Sequence, residues 1–355
     1  MIKIVVDAMG SDSYPHPDVE GAVAAAREYG VEVILVGDEA VVRPALEAQS
    51  PGHLPISILH APEMLTMEDK GMGLVLKARR PNAKNSMAMG IDLVKSGQAD
   101  AFVTAGNTGA ASVTAYFRLG TLPGIDRPGV AGPFPTAKGT CIVLDIGANP
   151  DCKPENLLDF ALMGSIYAEK VRGVTNPRVG LLSNGEEEGK GNELVKATAP
   201  LLKASGLNFA GNVESKEVIG GEVDVAVTDG FTGNVFLKTS EAVAKLLIDR
   251  IRQAITEGGL GAKVGGALVR PALRGVRRLL DPSEEGAAPL LGVNGLVFIG
   301  HGRSDAYAIK NAVRVAKLAV EAQVLDHIRA RIAARAGPLE PDVSARGASP
   351  EAILG

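Results

Sequence analysis

Residues 99–110 read Ala-Asp-Ala-Phe-Val-Thr-Ala-Gly-Asn-Thr-Gly-Ala, and residues 223–234 read Val-Asp-Val-Ala-Val-Thr-Asp-Gly-Phe-Thr-Gly-Asn. Laid side by side without a gap, they share Asp, Val, Thr, Gly, Thr and Gly in register. Each reads as a short buried strand, a tight polar turn and a helix start. Two further stretches have the same form: Cys141-Ile-Val-Leu-Asp-Ile-Gly-Ala-Asn149 and Val179-Gly-Leu-Leu-Ser-Asn-Gly-Glu-Glu-Glu-Gly-Lys190. Helix N-termini and the backbone N–H groups of Gly-rich turns attract anions, phosphate above all. In an open parallel sheet the ligand sits at the strand carboxyl ends, where such turns lie. The pattern predicts an α/β enzyme whose substrate carries phosphate.

Outward from these turns the alternation continues. Strands are expected at 2–6, 32–36 and 56–59, with helices at 17–29, from Glu39 onward, at 69–80 and at 83–96. Pro44 should kink or shorten the second helix. Helices at 154–171 and 191–204 follow, and another from about Gly233 to Thr256. The Pro- and Gly-rich stretch 121–139 reads as a loop crossing the sheet edge, and 258–266 as a flexible segment. Ala306 to Arg335 reads as one long helix, and the tail from Gly337 as disordered. Strands alternating with helices imply a three-layer α/β/α sandwich around a mostly parallel sheet. A single domain over 1–335 is expected, with a basic excursion near 258–282 and a tail at 336–355. The helices 231–256 and 306–335 are expected to project and pack a second subunit.

Composition narrows the class. The 355 residues are 46% hydrophobic but only 4% aromatic, without Trp, so the core is built of Ala, Val, Leu and Ile. That suits parallel strands under helices. A net charge of -4 argues against general nucleic-acid binding. Cys141 and Cys152 are too few for a disulfide framework or a four-ligand zinc site. No basic-then-apolar leader opens the chain and no apolar run spans a bilayer, so a cytoplasmic location is expected.

Several residues are candidates for chemistry. Asp7 and Asp12, in the turn after the first strand, would ligate a metal or orient a cation, or else simply cap the turn. Asn107 and Thr108 offer donors beside Gly106 and Gly109, in what is otherwise a tight βα turn. Lys190 follows three acids at a helix start; it would hold phosphate as a point charge, or serve as the counter-charge of a solvated acidic loop. Asp229, Thr232 and Asn234 surround flexible glycines. His301 is framed by Gly300 and Gly302, as where backbone approaches a ligand closely. In 268–280, Val269, Leu273, Val276 and Leu280 fall on one arc at about 100° per residue, beside Arg270, Arg274, Arg277 and Arg278. Such a helix reads as a membrane-surface contact, the alternative being an ordinary surface helix.

The motifs together resemble a known family. Val6-Asp-Ala-Met-Gly-Ser-Asp-Ser-Tyr-Pro15, Asn85-Ser86, Ala105–Ala110, Leu144–Asn149 and Gly185–Gly191 are similar to those of the bacterial phosphate acyltransferases of phospholipid synthesis. So are Gly211-Asn-Val-Glu214, Asp229–Asn234 and Leu291–Gly295 with His301-Gly302, in the same order. The resemblance implies transfer of a long acyl chain from acyl carrier protein to inorganic phosphate. The acyl phosphate would then go to a membrane glycerol-3-phosphate acyltransferase. It also implies a fold related to isocitrate dehydrogenase and phosphotransacetylase, a homodimer, and peripheral binding at the inner face of the cell membrane. One departure is Gly10-Ser-Asp-Ser13, where the family usually has Gly-Gly-Asp-His.

Phosphate is already a dianionic nucleophile and a thiol leaves with a pKa of about 8.5, so little acid–base help is needed. Positioning and charge remain. Lys190 and Asn234 are therefore expected to act on phosphate and the developing oxyanion. Asn107, Thr108, Asn149 and His301 would complete an anion pocket, with Asp7, Asp12, Gly106, Asp229 and Thr232 around it. No metal, cofactor or acyl-enzyme is expected, and Cys152 should be dispensable. The rivals are a phosphotransacetylase acting on coenzyme A thioesters, a metal- and nicotinamide-dependent dehydrogenase, and a carrier-protein adaptor without activity.

Overall fold

The computed structural model describes residues 1–66 and 68–336, without the side chains of Leu273, Arg277 and Ala336. In chain order β1 (Lys3–Asp7), α1 (His16–Tyr29), β2 (Glu32–Gly37), α2 (Glu39–Ala48) and β3 (Ile56–His60) lead to α3 (Gly71–Arg79) and α4 (Ser86–Lys95). β4 (Ala101–Thr104) and α5 (Thr108–Leu119) precede a hairpin of β5 (Gly129–Thr136) and β6 (Gly139–Leu144), then α6 (Pro154–Lys170). β7 (Val179–Leu182), α7 (Glu193–Ala204), β8 (Phe209–Val213), α8 (Ser215–Gly220), β9 (Val225–Val227) and α9 (Gly230–Glu257) follow. The described chain closes with α10 (Leu260–Leu279), β10 (Ala288–Leu291), β11 (Leu296–Ile299), α11 (Ala306–Glu321) and α12 (Val324–Ala336).

All these strands join one 11-stranded sheet, ordered β3-β2-β1-β4-β11-β10-β5-β6-β9-β7-β8. Every pairing is parallel except β11 with β10, β10 with β5, and β5 with β6. The sheet is thus two parallel blocks running in opposite directions, spliced by an antiparallel middle. β10 is the splice: Ala288 and Pro289 pair with β11, while Leu290 and Leu291 pair with β5.

Alternate strand residues feed opposite faces, as the pleat requires. On one face Ile4, Val6, Val103, Ile142, Leu144 and Val225 join one apolar cluster that runs beneath both blocks and under α1, α6 and α11. On the other face the core is divided. Val5 and Phe102 pack with Met87 of α4 and Ala111 of α5, whereas Val143 and Ala226 pack with Val218 of α8 and Phe236 of α9. Ile146 lies between these two clusters and touches both. The three-layer α/β/α sandwich with a mostly parallel sheet is therefore observed.

Four expectations are corrected. Segment 121–139 is not all loop, since it contains β5. Its Pro133 and Pro135 are tolerated because β10 reaches only Gly129 and Val130, so the rest of β5 is an edge on that side. Pro44 does not end α2, which runs on to Ala48; Pro44 faces solvent, where water can satisfy the carbonyl it leaves. The stretch 258–266 largely belongs to α10, which follows α9 after a two-residue break. Residues 306–335 form two helices, broken at Gln323 with φ +48. Of these, α11 does not project: Ala308, Ile309, Ala312 and Val313 are buried against the core. The segment from residue 337, expected to be disordered, lies outside the described residues.

Candidate active site

A cleft of about 1770 Å³ opens where the two clusters on the divided face part. All four Gly-rich turns reach its lining. Thr108 begins α5; Ile146 and Gly147 follow β6; Ser183, Asn184 and Asn192 lie between β7 and α7. Asp229, Thr232 and Asn234 open α9, and Gly300 and His301 follow β11. The N-termini of α5, α7 and α9 therefore face one space, and their aligned peptide dipoles make it attractive to an anion. Val243, Leu247 and Ile251 of α9 continue the lining as an apolar wall.

The side chains divide into scaffold and free groups. Asn107 Oδ1 accepts from Ala110 N (3.1 Å), capping α5, and its Nδ2 donates to Thr66 O (3.2 Å). Asp229 caps α9, accepting from Thr232 N and Thr232 Oγ1, both at 2.8 Å. Asn149 is buried, and its Nδ2 donates to Pro128 O (2.6 Å) and Asp145 Oδ2 (2.9 Å). Gly106 is buried, its N–H donating to Thr104 Oγ1 (3.0 Å). Asp7 is 1% exposed and accepts from Thr104 Oγ1 (2.8 Å) and Met9 N (3.1 Å). Burial pushes its carboxyl above the usual carboxylate range, against those hydrogen bonds. A buried carboxylate already paired in this way is a poor ligand for an anion, and its bonds brace the turn. Asp12 is exposed, and its N–H donates to Gly302 O (2.6 Å), tying the first turn to the His301 loop. Ser11 donates to the buried Asp18 (2.6 Å), and Ser13 stands in solvent.

Asp145 organises the turn after β6. Its Oδ1 accepts from Val130 N (3.0 Å), Gly147 N (3.0 Å) and Ala148 N (3.1 Å). Its Oδ2 accepts from Asn149 N (2.6 Å) and Asn149 Nδ2. Gly233 packs on the same turn. A Cβ there would stand 2.0 Å from Asp145 O, so only glycine lets α9 start where it does.

Lys190 is exposed beside Gly191 and Asn192, which line the cleft. Two of the loop's three acids have other partners. Glu186 pairs with Lys216 at 2.7 Å, and Glu188 with Lys203. Among the described residues Glu187 has no such partner; its carbonyl accepts from Lys190 N (2.9 Å), and the Lys190 side chain carries no ion pair among those residues. Asn234 is exposed in the lining, above Gly147. His301 also lines the cleft. Burial, then the charge of Lys238, holds its pKa below the usual histidine value, so the ring is neutral at pH 7.

Two lining residues were not foreseen. Lys238 stands four residues after Asn234, one helical turn along the same face, a spacing readable in the sequence; its Nζ meets Glu241 at 3.0 Å. Ser183 Oγ is buried without a hydrogen-bond partner among the described residues. Cys152, by contrast, donates to Asn149 O (3.5 Å), and burial with the Asp145 charge pushes its thiol up to about 12. A thiol raised in this way is a poor nucleophile.

Leu280 lies one residue past α10, half-buried in the cleft lining, so the sequence projection onto a surface stripe does not reach it. Val269 and Val276 are each 50% exposed, but Val276, like Leu280, lines the cleft. The side chain of Leu273 lies outside the described residues.

The mixed α/β sheet has the fold of the phosphotransacetylases. A phosphotransacetylase from Staphylococcus aureus superposes with a TM-score of 0.56 at 16% identity, covering 89% of this chain and 94% of its own. The family described as fatty acid synthesis protein matches residues 2–327, and the chain belongs to it. A Phosphate acyltransferase of Pelotomaculum thermopropionicum is 48% identical over 93% of this chain and 95% of its own length. One of Acidobacterium capsulatum is 48% identical over 95% and 98%.

Proposed function

We propose that this acyltransferase moves a long-chain acyl group from the thioester of acyl carrier protein to inorganic phosphate. A phosphate oxygen attacks the thioester carbonyl, the C–S bond breaks, and the thiolate leaves and takes a proton. The product, an acyl phosphate, feeds phosphatidic acid synthesis through a membrane glycerol-3-phosphate acyltransferase. The carrying observation is the meeting of three helix N-termini with an apolar wall in one cleft: an anion site beside room for an acyl chain. Lys190 and Lys238 supply positive charge. Asn234, Ser183, Thr108 and the neutral His301 supply hydrogen bonds to phosphate or to the oxyanion. Asp145, Asn107, Asn149 and Asp229 position those groups.

The test is thiol release from a purified carrier-protein thioester with and without phosphate. Release should require phosphate, and the carrier-protein thioester should be preferred to the coenzyme A thioester. Cys152→Ser should retain at least about half of wild-type turnover, because its thiol is protonated and takes no part. Preference for coenzyme A would favour the phosphotransacetylase reading. Acyl-protein that disappears on Cys152→Ser would replace direct transfer with a covalent route.

We further propose a cytoplasmic homodimer bound peripherally to the membrane. Among the described residues no helix is long and apolar enough to cross a bilayer. Leu246, 54% exposed on α9 and outside the cleft lining, offers an apolar contact to a second copy. α10 exposes Leu268 and Val269 beside Arg270 and Arg274, a pairing suited to anionic lipid. Leu268→Glu with Val269→Glu should abolish co-sedimentation with anionic vesicles and leave thiol release in solution intact. Unchanged sedimentation would remove α10 as the anchor.

A further inference from the structure

Besides α10, α3 and α5 expose a second apolar surface. Met72 and Leu76, four residues apart on one face of α3, are 71% and 65% exposed. Tyr116 and Phe117 of α5 are 44% and 40% exposed and meet edge to face at 5.3 Å. Arg79 joins the two helices, its guanidinium 5.0 Å over the Phe117 ring. Arg118 fixes the end of α3, donating to Ala78 O (3.2 Å) and Arg80 O (3.1 Å).

The charge around this surface is positive. Lys77, Arg79, Arg80 and Lys84 are all exposed. Of these four only Lys77 is ion-paired among the described residues, to Asp69. Its position matters as much as its charge. α5 starts at Thr108 in the cleft lining, and Tyr116 lies eight residues along, about 12 Å. The segment entering α3 is tied to that same helix start by Asn107, which donates to Thr66 O.

We infer that the α3–α5 face docks the acidic carrier protein that delivers the acyl thioester, an assignment resting on the proposed reaction. An apolar centre beside three cations that carry no ion pair among the described residues fits an acidic partner helix with a few apolar residues. The guanidinium of Arg79, 5.0 Å over the Phe117 ring, is a planar donor of the kind that matches carboxylates. A thioester tethered to a protein docked here enters the cleft at Thr108. A lipid surface has no comparable need to sit at the cleft mouth, and α10 already offers it one.

The experiment compares Arg79→Glu with Arg80→Glu, and separately Met72→Ala with Leu76→Ala, against wild type. Both double variants should raise KM for the carrier-protein thioester about 10-fold or more while kcat holds. Phosphate-dependent cleavage of an acyl-pantetheine, which has no protein to dock, should stay unchanged. Fluorescence anisotropy with labelled carrier protein should show the same loss of affinity, steeper in low salt for the charge variant. Unchanged carrier KM and affinity in both variants would overturn the docking face. Equal loss on acyl-pantetheine would also overturn it, making the face part of the pocket. So would loss of vesicle binding with normal carrier affinity. If wild type shows no phosphate-dependent release, the reaction itself fails, and the anisotropy comparison still decides the docking face.

Discussion

Lys190→Ala should lower turnover by about 100-fold or more, the size found when one preorganised electrostatic contact to an oxyanion is lost. Folding stability should move by less than about 0.5 kcal/mol, because the side chain is exposed and makes no ion pair among the described residues. Two of the three acids beside it are matched by Lys203 and Lys216, and Lys190 directly precedes Gly191 and Asn192 of the cleft lining. The loss should fall on kcat/KM for both thioesters alike, since phosphate is common to both. Lys190→Arg should recover part of it by keeping charge and losing shape. Near-normal turnover in Lys190→Ala would transfer the cationic role to Lys238, which already lines the cleft.

Asp145→Ala should destabilise the fold by at least about 4 kcal/mol, in the range reserved for breaking a buried polar network. The carboxylate serves four backbone N–H groups and the Asn149 amide, all buried or half-buried. Removing it strands those donors, each at a desolvation cost of about 1–3 kcal/mol before relaxation. Asp145→Asn should fall between. An amide oxygen can keep the bonds from Val130, Gly147 and Ala148, but the NH2 then confronts Asn149 donor to donor. Activity should fall in both variants even where they stay folded, because this turn carries Ile146 and Gly147 into the cleft and seats Gly233. Urea unfolding together with thiol release checks both parts. A stable, active Asp145→Ala protein would show that the turn is held by something else.

Much of this was legible in the chain because continuous apolar runs ending in Gly-rich polar turns admit few other readings. All four turns do line one cleft. The sequence was less informative where side chains have two uses. Asn107, Asn149 and Asp229 read as ligands, yet each amide or carboxylate is consumed in capping or bridging its own turn, and spacing alone does not say which way such a group points. Strands of three to five residues, such as β8, β10 and β11, carry too few positions for a period to show. β5 was hidden by its own prolines. Gln323 ends a helix without Gly or Pro, so nothing local marked the break. Lys238 was within reach from its spacing to Asn234. Ser183 was not, since only burial reveals its unpartnered hydroxyl.

The divided core has a mechanical meaning. One face of the sheet is glued by a cluster that never breaks; on the other the glue stops at the cleft, and β10 bridges the blocks with two residue pairs on each side. The molecule is built like a book, with a continuous spine and pages that part on one side. Bending about β10 strains few rungs, so its amides should exchange with deuterium before those of β1 and β9, and substrates that fill the gutter should slow them. An enzyme that handles a greasy chain and a small dianion together gains from such a binding: it can gape for the chain and shut on the ion without remaking either half.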